Sequence, residues 1–565
     1  MDDVDAVQAQ IARNMLQSGD WVTARLDGVA YLEKAPLKYW MIATSFVIFG
    51  AHDWAARIPI ALATILLCWV VARFAAWAFG ARTGLYAGVM LATSVGLFLF
   101  TRILIPDVIL TLTITLAMWG LLRALDEEER HRNRWALGMW AAMGTGMLLK
   151  GMVAAVFPAM AGLIYLWLTK QLTRRETWKR LRPFWGMALF LAIAAPWHVL
   201  ATLRNPPYLD FTMHSERGSY HGFFWFYFIN EQVLRFLNLR YPRDYNTVPR
   251  TYFWLFHLLW LFPWSMYFPA VFRLKYRGTD RASRTRLLAL CWCGFILLFF
   301  TFSTTQEYYS MPCYPALALL LAAGVTSDGS SLRAGTRILA VLTTGALAAI
   351  AGILWAVKGR ATPGDIATAL KPSLNPENYT LSLGHMGDLT LGSFAYLRVP
   401  LAVAALAFTI GAIACWMRWR RTAVPVAALA AMMILFFHAA RLALVVFDPY
   451  MSSRPLAEAY LKAPPGKLIV DDQYYTFSSV FFYANTRALL LNGRVNNLVY
   501  GSYAPDAPKH VFIEDGDLRQ LWPQVQRYYL VAEGPQVGRL EKLVGKDALH
   551  VVAESGGKFL FTNQQ

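Results

Sequence analysis

Long apolar runs separated by short polar gaps fill this chain up to about residue 446. Runs long enough, or nearly so, to cross a hydrocarbon core of roughly 30 Å recur about twelve times. They lie near 57–80, 84–101, 107–124, 135–149, 152–169, 184–202, 251–272, 287–303, 310–326, 336–357, 396–417 and 423–446. Between alternate runs the gaps are rich in Arg and Lys, at 130–134, 170–182, 273–286, 333–337 and 418–421. By the positive-inside rule these gaps, with the FGARTG turn at 79–84, share the cytoplasmic side. Residues 1–56, 203–250, 358–395 and the tail from about 447 then face outward. The pattern predicts a polytopic α-helical membrane protein.

An even number of crossings leaves both ends outside, yet the first residues, DDVDAVQAQIARN, include no apolar helix to carry that end across. A further helix upstream is therefore expected, about thirteen in all; the alternative is that residues 2–40 stay inside and one of the twelve runs does not cross. Leu37–Gly50 is apolar but short, which suits an interfacial or re-entrant helix. Val7, Ile11, Met15 and Leu16 recur at helical spacing and predict an amphipathic helix on the membrane surface. The aromatic run FFWFYF at 223–228 suits the headgroup level.

Beyond residue 446 the pattern shortens. KLIVDD, ALLLN, HVFIED, RYYLVAE and KFLFTN predict strands, separated by helical stretches at 456–462 and 517–526, hence a small soluble α/β domain over 447–565 after a membrane domain over 1–446. There is no Walker loop and no GxGxxG after a strand, so nothing supports ATP-driven transport or dinucleotide chemistry.

Composition sharpens this picture. The 565 residues are 57% hydrophobic and 16% charged, with a net charge of +18. That excess sits in the short gaps, the distribution of cytoplasmic loops and not of a nucleic-acid groove. The five cysteines, Cys68, Cys291, Cys293, Cys313 and Cys415, fall within apolar segments and predict packing rather than disulfides or zinc. His198, His214 and His221 lack metal-ligand spacing and are expected as hydrogen-bonded loop histidines.

Charges at helix ends are the candidate chemistry, because they are costly near lipid. In this topology Asp5, Glu33, Lys34, Arg102, Asp107, Lys150, Arg235 and the Tyr308, Tyr309 pair reach one outer face. Cations there suit the phosphate of an anionic lipid, and a carboxylate suits the proton of an acceptor hydroxyl. Each group also has a plainer role: Asp2, Asp3 and Asp5 as a solvated charge run, Glu33 and Lys34 as an interfacial pair, Lys150 as a snorkelling lysine, Asp107 as a helix N-terminal residue.

Residues 2–40, then RILIPDVIL, GMLLKG, APWH, INEQVLRF and STTQEYYSMPCYPALALLLA in that order, resemble the bacterial lipid A aminoarabinose transferases and their relatives in the protein O-mannosyltransferase superfamily. The resemblance implies a GT-C glycosyltransferase of the inner membrane. It would move a sugar from a polyprenyl-phosphate donor to a lipid A-type or other envelope acceptor, with active site and C-terminal domain periplasmic and no nucleic acid involved. It further implies Asp5 as the principal catalytic group, across a one-residue gap that otherwise puts the family Asp on Val4, and Asp107 as the second acidic position. Lys34, Lys150, Arg235 and Tyr309 fall to the donor phosphate, with Gln8 in the neighbourhood of a phosphate-binding Arg. Glu33 matches a metal ligand whose partner histidine is Gln232 here. A neutral amide is a poor transition-metal ligand, so no metal is expected to be required. Two other classes share the pattern: a multi-helix lipid or solute transporter, and an inactive relative that binds polyprenyl phosphate without transfer.

Overall fold

The computed structural model describes all residues except 244–247, 328, 372–383 and 418–422. The predicted basic gap at 418–421 lies outside the described residues.

Helix α1 (Asp3–Ser18) opens the chain, with the Asp2 side chain accepting from the Asp5 amide at its N-terminus. A two-residue hairpin follows, β1 (Arg25–Leu26) and β2 (Val29–Ala30), turned by Asp27 and Gly28 at φ 49° and 84°. Both angles are positive, as a tight hairpin of matching twist requires. Then come α2 (Leu37–Phe49), α3 (Asp53–Phe79), α4 (Ala81–Ala92), α5 (Val95–Phe100), α6 (Asp107–Leu125), α7 (Arg132–Lys150) and α8 (Val153–Leu168).

Among the described residues eight helices are long and apolar enough to cross a membrane, and each coincides with a predicted run. The other four runs are helical but differ in form. The run 84–101 breaks between α4 and α5 at Thr93 and Ser94, and 251–272 breaks after Arg250–Trp260. The helix over 135–149 is more polar, and that over 152–169 is short. Small residues let these helices approach closely: a Cβ on Gly84 would stand 2.6 Å from the Ala72 carbonyl oxygen of α3.

The tail folds as a six-stranded mixed sheet in the order β5-β4-β3-β6-β8-β7. Its strands are β3 (Lys467–Asp471), β4 (Ala488–Leu491), β5 (Phe512–Ile513), β6 (Tyr528–Glu533), β7 (His550–Ser555) and β8 (Lys558–Thr562). Strands β3 to β6 pair in parallel, whereas β8 runs antiparallel to both β6 and β7. Five strands stand where the sequence predicts them; β7 was not anticipated.

Helix α1 is amphipathic, but protein covers its apolar face. Val7, Ile11 and Met15 are buried, α1 packs on the Ser478–Ala484 helix of the tail domain, and Arg13 donates to the Phe482 carbonyl at 2.7 Å. Nor are the leading aspartates a solvated run: Asp3 and Asp5 are buried.

Candidate functional site

A cavity of about 80 Å³ forms where the first loop, α6, α7, and the segments after residues 222 and 302 converge; its lining includes Lys34, Asp107, Lys150, Gln232, Arg235 and Tyr309. The sequence drew these residues from positions more than 270 apart, and folding brings them together.

Asp107 occupies the first turn of α6, where the helix dipole favours a carboxylate. Its Oδ1 accepts from Lys150 Nζ at 2.5 Å, while its buried Oδ2 has no hydrogen-bond partner. Lys150 is the last residue of α7, and its ammonium lies 4.4 Å from the Tyr309 ring centre and 5.1 Å from that of Tyr308. Gly151 ends α7 at φ 74°, and any side chain there would meet Gln232 Nε2 and the Tyr227 hydroxyl at 3.0 Å. Only glycine fits both the angle and the space.

Opposite stands a network of paired charges. Residues 225–234 form a π-helix, and at its end Arg235 donates to Glu231 at 2.6 Å. Arg240 donates to Glu231 and, at 3.1 Å, to Glu33; Lys34 lies 3.5 Å from Glu33, and Tyr31 donates to it at 2.5 Å. Burial disfavours ionised Glu33, but the cations Lys34, Arg240 and Arg235 prevail and hold its carboxyl down to about 2. Four cations, Lys34, Lys150, Arg235 and Arg240, stand against three carboxylates, Glu33, Asp107 and Glu231, leaving one positive charge in excess. Glu231 and Arg240 were not anticipated; the four-residue spacing of Glu231 from Arg235 was the available signal.

This donor set does not fit a divalent metal at Glu33. The carboxylate already serves two guanidiniums, an ammonium and a phenol, and Gln232 offers only an amide. Among the described residues no cluster of three His, Cys, Asp or Glu could hold a metal ion.

Asp5 and Gln8 do not line the cavity. Asp5 Oδ2 pairs with Arg57, and Oδ1 accepts the Leu104 amide at 2.7 Å, so both oxygens are occupied. Gln8 accepts from Lys38 and from Tyr39 at 3.1 Å, and Lys38 also donates to the Leu104 carbonyl at 3.0 Å. The backbone of Leu104 thus holds Asp5 through its amide and Lys38 through its carbonyl, three residues ahead of Asp107. Of the histidines, His221 bonds Asp210 at 2.7 Å, and His198 lies in the helix Pro183–Arg204, bonded to the Ala194 carbonyl, rather than in a loop.

Residues 33–199 match the family described as dolichyl-phosphate-mannose-protein mannosyltransferase. An undecaprenyl phosphate-alpha-4-amino-4-deoxy-L-arabinose arabinosyl transferase from Pectobacterium carotovorum is 28% identical over 334 residues, 58% of this chain and 55% of that protein. One from Sodalis glossinidius is 31% identical over 364 residues, 62% and 60% of the two chains. The chain is related to these transferases. It spans little more than half the length of the curated relatives it matches. Its fold extends the likeness: ArnT from Cupriavidus metallidurans, in a crystal structure with undecaprenyl phosphate, superposes with a TM-score of 0.80 at 23% identity, over 99% of this chain and 93% of that one. The architecture is therefore a multi-helix fold like that of this ArnT, with a small C-terminal sheet region.

Proposed function

We propose that this chain is a polyprenyl-phosphate-sugar-dependent glycosyltransferase of the bacterial inner membrane. It transfers the sugar to a lipid A-type or other envelope acceptor on the periplasmic face, where the tail domain also lies. The observation that carries this reading is the Asp107 Oδ2 atom, buried and without a partner, in a cavity walled by the cations Lys34, Lys150 and Arg235. An anion's phosphate and an acceptor's hydroxyl proton would satisfy both.

The relatives' names give the donor class, an undecaprenyl phosphate carrying 4-amino-4-deoxy-L-arabinose. The ArnT neighbour's bound undecaprenyl phosphate supports the same lipid. The cavity, of about two or three waters' volume, takes the phosphate end in this state. Lys34, Lys150 and Arg235 hold that phosphate, with Tyr309 stacked on Lys150. The acceptor oxygen attacks the anomeric carbon as the carbon–oxygen bond to phosphate breaks. Asp107 Oδ2 takes the acceptor's proton, and the electron pair leaves with the phosphate, whose growing charge the three cations offset. A single displacement inverts the anomeric centre. Asp5 acts through Leu104 as a positioning residue rather than as the base. No step needs a nucleotide or a metal at Glu33.

The test is transfer from synthetic undecaprenyl-phosphate aminoarabinose to lipid A by the purified full chain, alongside donor binding. Turnover lost in Asp107→Asn with binding retained supports the reading; binding by the wild-type chain without any turnover makes it an inactive donor-binding relative instead.

A further inference from the structure

A second polar cavity, of about 240 Å³, lies away from the charged site, at the seam between the first loop and the tail domain. Helix α1 contributes Gln10 and Asn14, the β1–β2 turn contributes Asp27, and the tail domain contributes Tyr474, Phe481 and Arg487.

Three of the lining residues carry unsatisfied polar groups. Both oxygens of Asp27, the Oε1 of Gln10 and the hydroxyl of Tyr474 lack hydrogen-bond partners, although the residues are only 6%, 5% and 1% exposed. The orientation of the Gln10 amide is fixed by a relay. Asn14 must turn its NH₂ to the Arg25 carbonyl at 2.9 Å, which leaves its oxygen to accept from Gln10 Nε2 at 2.8 Å. Gln10 Oε1 is therefore the atom left over.

Turn geometry explains an Asp or Asn at position 27, but not a buried, unfilled carboxylate there. Burial pushes the Asp27 carboxyl up to about 7; the Ala488 amide and Arg487 approach it and offset part of that burial, without closing a hydrogen bond in this geometry. A ligand that satisfies this set must bring several donors. A phosphate could reach Arg25 and Arg487, but it would face the Asp27 carboxyl and bring too few donors for its two oxygens and Gln10 Oε1 together. A metal ion would find a single acidic side chain. A sugar ring offers hydroxyl donors on neighbouring carbons, spaced to meet both oxygens of one carboxylate. The volume equals about eight waters, and Tyr474 and Phe481, stacked with ring centres 4.1 Å apart, give the lining an aromatic side.

We propose that the seam cavity is a saccharide-binding site that takes one sugar ring of a glycan, its hydroxyls donating to Asp27 and Gln10. The site stands apart from the transfer reaction, so its test measures binding alone. Saturation-transfer NMR on the full chain in nanodiscs, with methyl glycosides of glucose, mannose, galactose and arabinose as probes, should show millimolar binding of at least one. Asp27→Asn keeps the turn, and Gln10→Leu leaves the turn untouched; each should weaken that binding at least tenfold, while added undecaprenyl phosphate leaves it unchanged. If no glycoside binds the wild-type chain, the cavity holds water only and the proposal falls. It falls equally if binding persists in both variants or is displaced by undecaprenyl phosphate. Should Asp27→Asn fail to fold, Gln10→Leu decides.

Discussion

Among the described residues two aspartates with buried carboxylates pair with lysines, and they differ in how completely the carboxylate is used. Asp3 pairs with Lys558 at 2.7 Å, and its remaining positions are filled by the Ser479 amide at 2.8 Å and by the Ser479 and Ser453 hydroxyls at 2.7 and 2.9 Å. Lys558 in turn donates to Ser453 and the Thr476 carbonyl. Asp107 pairs with Lys150 as tightly, yet one of its oxygens has nothing. A saturated pair repays its own desolvation and fastens two parts of the chain together. An unsaturated one in a cavity leaves that debt for a ligand to settle. Charge and pairing are alike in the two; vacancy separates them.

The sharpest way to break this contrast is to exchange the carboxylates for amides. Asp107→Asn should lower transfer by about 10³-fold with melting little changed, measured as turnover and thermal midpoint on the same preparation; a variant that loses stability instead would put Asp107 with Asp3. Next in size, Lys558→Met leaves Asp3 buried without its cation. It should cost at least about 3 kcal/mol of stability in denaturant titration while turnover per folded molecule stays close to wild type. A smaller effect is expected on the open pair's other half: Lys150→Met should weaken undecaprenyl-phosphate binding about tenfold to a hundredfold, which equilibrium binding in nanodiscs would read.

The finest comparison concerns Lys38, which among the described residues has carbonyl oxygens and no carboxylate as partners. Burial, then neighbouring Lys34, lowers its ammonium from 10.5 to about 7. Between these values the unfolded chain binds more protons than the folded one, so stability rises with pH. From pH 7 to 8 the gain is about 1 kcal/mol. Lys38→Met should flatten that rise; an unchanged slope would show that Lys38 stays fully charged when folded.

Much of this could be seen before folding, for a physical reason. Each of the twelve apolar runs became helix because the lipid interior forces backbone pairing within a segment. Strand β7 escaped because it is an edge strand with a bulge after Val551, and its Val551 and Val552 are exposed, so no alternation marked it. In the site, Lys34, Asp107, Lys150, Arg235 and Tyr309 sit beside apolar runs, where a charge is conspicuous. Glu231 and Arg240 gain their meaning only from the π-helix and the chain reversal that bring them to Glu33. Nothing local to Asp5 says that Arg57 and the Leu104 amide will engage its oxygens. The periodicity of α1 correctly marked a covered face, but periodicity carries no information on whether lipid or protein does the covering.

The phenol of Tyr31 has one further consequence. It donates to Glu33 at the cavity wall and accepts from the Tyr475 hydroxyl at 3.2 Å. The sheet domain is therefore no passenger on the helical body: two hydroxyls form a latch between it and the charged wall. Any displacement of the sheet domain would take the Tyr475 hydroxyl from Tyr31, the residue that itself donates to Glu33.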